Sequence, residues 1–199
     1  HLTQRELAAA SVLLAVIVLW AMVIPAPLGE IANPAHPPNP AKSAWYFAGL
    51  QEMLLHMHPL AAIILVVVVF AGAALLPFAD RQAGDIGLYF RSARGRRAAI
   101  VGALLAVYLM PILVIADEFW MDAMGLLPAA PILISTGLVP LLASLAGLAA
   151  VYGLCRVVLR ARHGEALVGL FAFVVAALVV LTSVGVFFRG ANMALALPF

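Results

Sequence analysis

Between Asn33 and Pro59 the chain reads NPAHPPNPAKSAWYFAGLQEMLLHMHP, the one long stretch that is neither a hydrophobic span nor a charged turn. It gathers the side chains with chemistry to offer. Glu52, His56 and His58 are candidate proton acceptors, and a histidine near its ordinary pKa of about 6.5 is suited to relaying a proton at neutral pH. Trp45, Tyr46, Phe47 and Leu50 present flat apolar surface to a lipophilic ligand entering from the membrane. The prolines Pro34, Pro37, Pro38 and Pro40 hold the first part of the stretch extended and deny it the backbone donors of a helix. After Lys42, the residues Trp45, Tyr46, Phe47, Leu50, Met53, Leu54 and Leu55 recur at spacings suited to an amphipathic helix, with Gln51 and Glu52 on its other side. Such a helix lies in the membrane interface with its rings at headgroup depth, then turns at His58 and Pro59 into the next span. An aromatic belt with solvated polar tips meets the same spacing, so the pattern alone does not choose between a ligand pocket and a belt.

The elements that must position these residues are hydrophobic. The chain is 66% hydrophobic and 10% charged, against about 25% charged in a soluble domain, and its mean hydropathy is +1.14. This composition predicts an all-α integral membrane protein. A net charge of +2 gives no reason to expect a nucleic-acid partner, because the basic residues have a better use in setting orientation. The single cysteine, Cys155, sits in a hydrophobic run and reads as a small buried hydrophobe. The first apolar run is too long, and too poorly followed by a small-residue cleavage site, for a signal peptide.

Crossing about 30 Å of hydrocarbon takes roughly 20 apolar residues. Five segments meet that length, at about 8–24, 60–76, 98–116, 131–155 and 166–188. They are continuously apolar rather than alternating, so helices are expected and not a barrel. Pro25 and Pro27 end the first, Pro59 opens the second, Pro111 kinks the third, and Pro140 lies within the fourth among the small residues Gly137, Ser144, Gly147 and Gly153. Arg81, Arg91, Arg94, Arg96 and Arg97 crowd the second connection, and Arg156, Arg160 and Arg162 the fourth. These connections are expected on the cytoplasmic side. The N-terminus is then inside, the C-terminus outside, and nine of the eleven Lys and Arg residues inside. The chain reads as a single membrane domain over about 1–199, with a proline-rich and aromatic outer loop at about 25–59.

The loop also resembles that of the carboxy-terminal half of cytochrome b, the part that forms subunit IV of cytochrome bf complexes. There a proline-rich ADPxxTPxNP segment leads into Pro-Glu-Trp-Tyr or Pro-Asp-Trp-Tyr and then Phe. Here Asn33-Pro34 through Asn39-Pro40-Ala41-Lys42 leads into Ser43-Ala44-Trp45-Tyr46-Phe47, and Gly49-Leu50-Gln51-Glu52 is similar to the GLQE of bacterial menaquinol-oxidising relatives. At the far end Phe187-Phe188-Arg189-Gly190 and Pro198-Phe199 resemble the FFRGP ending of those relatives. The resemblance covers about 8–97 and 164–199, and leaves about 98–158 as an inserted helix pair with no assigned role. Pro40, Phe188, Arg189 and Gly190 are its structural motif residues. Two departures stand out: Ala44 occupies the place of the motif's acidic residue, and Ala191 to Leu197 lack the tryptophans usual near the end. An alanine accepts no proton, so a displaced acceptor is expected, with Glu52 first and His56 or His58 next.

What the resemblance implies is a quinone-site subunit of a cytochrome bc-like respiratory complex in the bacterial inner membrane. It would oxidise a quinol, of the menaquinol type, at the outer face as one subunit of a quinol:cytochrome c oxidoreductase. Haem b and iron–sulfur groups would belong to partners: a cytochrome b amino-terminal-half subunit, and a Rieske-type or cytochrome c subunit. No metal site is expected in this chain, since His56 and His58 lie at one surface and His163 at the other. The alternative is a non-catalytic anchor for an extracytoplasmic redox enzyme or multihaem cytochrome. Asp117, Glu118 and Asp122 are expected as solvated acids capping the third span, and Arg189 as an anchor pairing with them or with a lipid phosphate.

Overall fold

The computed structural model describes residues 2–24, 31, 33–35, 39–79, 92–121, 127 and 129–196, with backbone alone at 2 and 75–79. Pro25, Pro27, Pro37, Pro38, Arg81, Arg91, Asp122 and the closing Pro198-Phe199 lie outside these residues. The chain divides into two compact units, His1–Pro37 and Pro38–Phe199.

The first unit carries helix α1, Leu2–Val23. Its described side chains are all exposed, including Leu13, Ile17 and Trp20. A helix apolar on every side belongs in hydrocarbon.

The second unit holds α2 (Trp45–His56), α3 (Pro59–Ala79), α4 (Ala93–Phe119), a π-helical turn Leu133–Leu138 running into α5 (Val139–Val157), and α6 (His163–Phe187). Among the described residues there is no strand, only an isolated bridge between Arg189 and Leu195. Among the described residues four helices are long and apolar enough to cross a membrane: Thr3–Val23, Ala93–Phe119, Leu133–Val157 and His163–Phe187. Pro59–Ala74 within α3 is a shorter apolar helix. The chain is therefore an all-helical, multi-pass membrane protein.

The helices overrun the apolar segments that predict them. α4 has 27 residues, which at about 1.5 Å each exceeds the hydrocarbon thickness. Arg94, Arg96 and Arg97 thus ride on its first turns, and Asp117 and Glu118 on its last, rather than in connecting loops. Apolar length measures the bilayer, whereas the hydrogen-bond ladder continues for as long as no residue breaks it.

α4 and α6 make the most extensive contact of the unit. They cross where Gly102 faces Gly169, so closely that a Cβ on Gly102 would overlap the Gly169 carbonyl. Without a hydrophobic drive between helices in lipid, such close backbone approach is what packing has to offer. Beside the crossing, Ala98, Cys155, Ala161 and Ala166 form a small core in which Cys155 is free and buried. α2 lies on α6 by the same device: a Cβ on Gly185 would come within 2.8 Å of the Ala48 carbonyl oxygen.

α3 is tied to the fourth apolar segment by a proline. Pro140 has no N–H, so the Thr136 carbonyl loses its i+4 donor, and the backbone N–H of His58 donates to it instead at 2.7 Å. The adjoining π turn places Ser135 and Gly137 in the interior.

The glycine crossing predicts a sharp contrast between two alanine substitutions. Gly102→Ala should lower stability by about 1–3 kcal/mol through overpacking. Gly147→Ala, where an added Cβ meets nothing within 4 Å, should be close to neutral. Unfolding by denaturing detergent, followed by circular dichroism, reads both.

Candidate functional site

The N-terminal entry to α2 is built by its own side chains. Ser43 N–H donates to Gln51 Oε1 at 2.7 Å, and Gln51 Nε2 donates to the Ala41 carbonyl at 2.8 Å, so Gln51 folds back and holds the chain leading in from Pro40. The expected amphipathic helix forms, with its faces arranged for lipid. Trp45, Tyr46 and Phe47 are exposed, at 71%, 62% and 54%, while Glu52 is fully buried with Ala48 and Gly49. The three rings pack in sequence, Trp45 edge-on to Tyr46 at 5.6 Å between centroids and Tyr46 tilted on Phe47 at 4.9 Å. Leu50 is half-buried beside them.

Past α6 the chain doubles back. Ala196 N–H donates to the Phe188 carbonyl and Gly190 N–H to the Ala194 carbonyl, with a 3₁₀ turn at Ala191–Met193 between. Asn192 sits at φ 57°, a conformation that asparagine tolerates. This hairpin meets the α2 entry directly. Asn39 and Asn192 pair reciprocally, Nδ2 to Oδ1 at 2.8 Å and backbone N–H to Oδ1 at 2.6 Å, and Lys42 Nζ donates to the Val186 carbonyl at 3.0 Å. The two stretches that carry the family resemblance are thus neighbours in space.

At the centre is Arg189, 4% exposed, with a partner for each of its five N–H bonds. Nε and Nη2 donate to the Glu52 carboxylate at 2.9 and 2.5 Å. Nη1 donates to Glu118 Oε2 at 2.8 Å and to the Met193 carbonyl at 2.9 Å. The remaining Nη2 direction faces His56 Nε2 at 3.4 Å. His56 extends the cluster outward, with Nε2 3.2 Å from Glu52 Oε1 and Nδ1 2.6 Å from Asp117 Oδ2. Asp117 is about one-third exposed, so the cluster grades from a sealed core at Glu52 to an open edge at Asp117.

Three elements therefore supply one site: α2 gives Glu52 and His56, α4 gives Asp117 and Glu118, and the hairpin gives Arg189. His58 stands apart. Its Nδ1 accepts the Leu60 N–H at 3.2 Å, at the start of α3. The expectation that Arg189 pairs with the acids of α4 holds for Glu118, whereas Glu118 and Asp117 are paired rather than merely solvated. The link between His56 and Asp117 is not predicted by the residue pattern; the one signal for it is a histidine one turn beyond a glutamate, whose second ring nitrogen needs a partner of its own.

Burial opposes the charge on Glu52, but hydrogen bonds from His56 and Arg189, with their positive charge, more than offset it and hold the carboxyl below its ordinary 4.5. Burial likewise opposes a charged His56, yet hydrogen bonds to Glu52 and Asp117 lift its pKa above the ordinary 6.5. Arg189 is pushed further up by its two glutamates against its own burial, and stays charged.

The signs set a stability window. Glu52, depressed on folding, stabilises above 4.5 and that contribution is lost as pH falls through its lower folded value. His56, raised on folding, contributes fully below 6.5, and its contribution is lost as pH rises through its higher folded value. Stability should therefore be greatest between these limits, with the alkaline decline abolished in His56→Gln; thermal unfolding across pH reads it. Arg189→Gln takes both carboxylate oxygens of buried Glu52 away from the guanidinium, leaving it His56 alone as a cationic neighbour, and should cost about 3–5 kcal/mol. Glu118→Gln, at the partly exposed edge, should cost about 1 kcal/mol or less in the same assay.

No family model, no curated protein and no solved structure matches this chain.

Proposed function

We propose that the chain is the quinone-site subunit of a cytochrome bc-like respiratory complex, oxidising a quinol of the menaquinol type at the outer membrane face. The observation that carries this reading is the convergence at Arg189. The NPAK, WYF and GLQE stretch and the FFRG stretch, each similar to a different part of cytochrome b's carboxy-terminal half, are joined by Asn39 with Asn192, Lys42 with Val186, and Glu52 with Arg189. Chance matches have no reason to meet. The exposed rings of Trp45, Tyr46 and Phe47, with Leu50, lie on the same helix as Glu52 and are of the right chemistry for a quinone head group and its apolar tail.

In this reading the chain crosses a bacterial inner membrane five times, α3 included, with the N-terminus inside and the C-terminus outside. The quinol loses two protons to the outer side and two electrons to an iron–sulfur or haem acceptor. That acceptor belongs to a Rieske-type or cytochrome c partner, and haem b to a cytochrome b amino-terminal-half partner. Among the described residues no group of three or more His, Cys, Asp and Glu is arranged to hold a metal ion. This chain's own work is to wall the quinone and to receive protons at the Glu52 and His56 cluster.

Purifying the intact complex in mild detergent tests the proposal. Haem should copurify, and Trp45→Ala with Tyr46→Ala should cut quinol oxidation at least about tenfold at unchanged haem content. Unchanged quinol oxidation in that double variant would leave the chain as an anchor for its redox partners.

A further inference from the structure

We propose that His56 Nε2 is the atom that takes up and releases a proton at this site, and that Asp117 is the positioning residue that fixes the ring for it. The proposal rests on the quinol-oxidising reading for its substrate, but not for its geometry. It also gives α4, which lies in the segment the resemblance leaves unassigned, a part in the site.

The two ring nitrogens have different surroundings. Among the described residues Nδ1 faces a single group, the Asp117 carboxylate, whose Oδ2 lies at 2.6 Å as an acceptor. Nδ1 therefore keeps its hydrogen in either charge state, and the tautomer of the neutral ring is set. Nε2 faces one acceptor, Glu52 Oε1 at 3.2 Å, and one donor, Arg189 Nη2 at 3.4 Å. A protonated Nε2 donates to Glu52; a bare Nε2 accepts from Arg189. Nε2 has a partner in both states without moving a side chain, while the Arg189 N–H that faces it has an acceptor only when Nε2 is bare. The charged groups around His56 are Glu52 on its own helix, Asp117 and Glu118 on α4, and Arg189 on the hairpin.

Glu52 is poorly placed for the same task. Both of its oxygens are taken by Arg189, and protonating it would leave the buried guanidinium only Glu118 as an anionic partner. In this reading each of the quinol's two O–H bonds would break in turn, its proton passing to a neutral Nε2, and the two electrons would leave to an iron–sulfur or haem acceptor on a partner subunit. The imidazolium then returns the proton to outer water, restoring the neutral ring.

The test uses the full chain in lipid nanodiscs, with histidine labelled in 15N and 13C, titrated by NMR from about pH 5 to about pH 10. The His56 signals are assigned by their loss in His56→Gln. The neutral ring should carry its hydrogen on Nδ1. Asp117→Asn should lower the proton affinity of His56 about tenfold, a midpoint shift of about one pH unit, and Asp117→Glu should restore it. A neutral wild-type ring with its hydrogen on Nε2, or a midpoint unmoved in Asp117→Asn, overturns the proposal. The wild-type tautomer decides the matter even if Asp117→Asn fails to fold. In the intact complex, the acid limb of quinol oxidation against pH should shift down by the same unit in Asp117→Asn. A shift seen by NMR with no quinol oxidation at all would sink the quinol reading and leave the proton-exchanging pair standing.

Discussion

A guanidinium that is almost wholly removed from solvent has to find acceptors for its N–H bonds inside the protein, or lose several kcal/mol of hydration uncompensated. Arg189 meets that demand with groups drawn from three places far apart in the chain. Glu52 must come up from α2, Glu118 must be carried past the apolar part of α4 on an extra helical turn, and the Met193 carbonyl must be folded back by the hairpin. The seat of α2 on α6, made by the close approach of Gly185 and Ala48, and the doubling back of the chain after Phe187 together bring these acceptors to the one buried charge.

The cluster carries three carboxylates against one arginine and one histidine, so its electrostatic balance depends on His56. With the imidazolium in place the excess negative charge is one; with the neutral ring it is two. That difference lies beside a ring whose Nε2 is satisfied in both states. The Arg189 ion pairs with Glu52 and Glu118 are thus joined by one ring whose charge can vary. The cluster is also graded, sealed at Glu52 and open at Asp117, so a charge change at His56 is felt inside and relieved toward solvent.

α2 turns the rule of soluble helices over: the charge faces in and the rings face out. The inversion follows from the surroundings. In a bilayer interface, exposed Trp, Tyr and Phe lose little, whereas an exposed charge at that depth loses its partners. Packing then relies on close approach at Gly102, Gly169 and Gly185, because apolar side chains gain nothing by leaving lipid for one another.

Much of this was legible in the residues. Runs of apolar side chains with proline and arginine between them predict membrane-crossing helices, because hydrocarbon thickness and backbone hydrogen bonding leave few alternatives. The spacing from Trp45 to Leu55 predicts a helix, and the acids of α4 together with Arg189 suggest a pairing. Helix ends were not legible, since apolar length reports the bilayer and not the ladder; hence Asp117 and Glu118 fall on α4 rather than beyond it. The link from Thr136 to His58 follows from the missing N–H of Pro140, but the sequence names only the orphaned carbonyl and not its donor. Which carboxylate faces which edge of His56 is decided by how α2, α4 and the hairpin converge. A one-dimensional pattern states that a buried charge needs partners; only the packing of distant segments says which partners arrive.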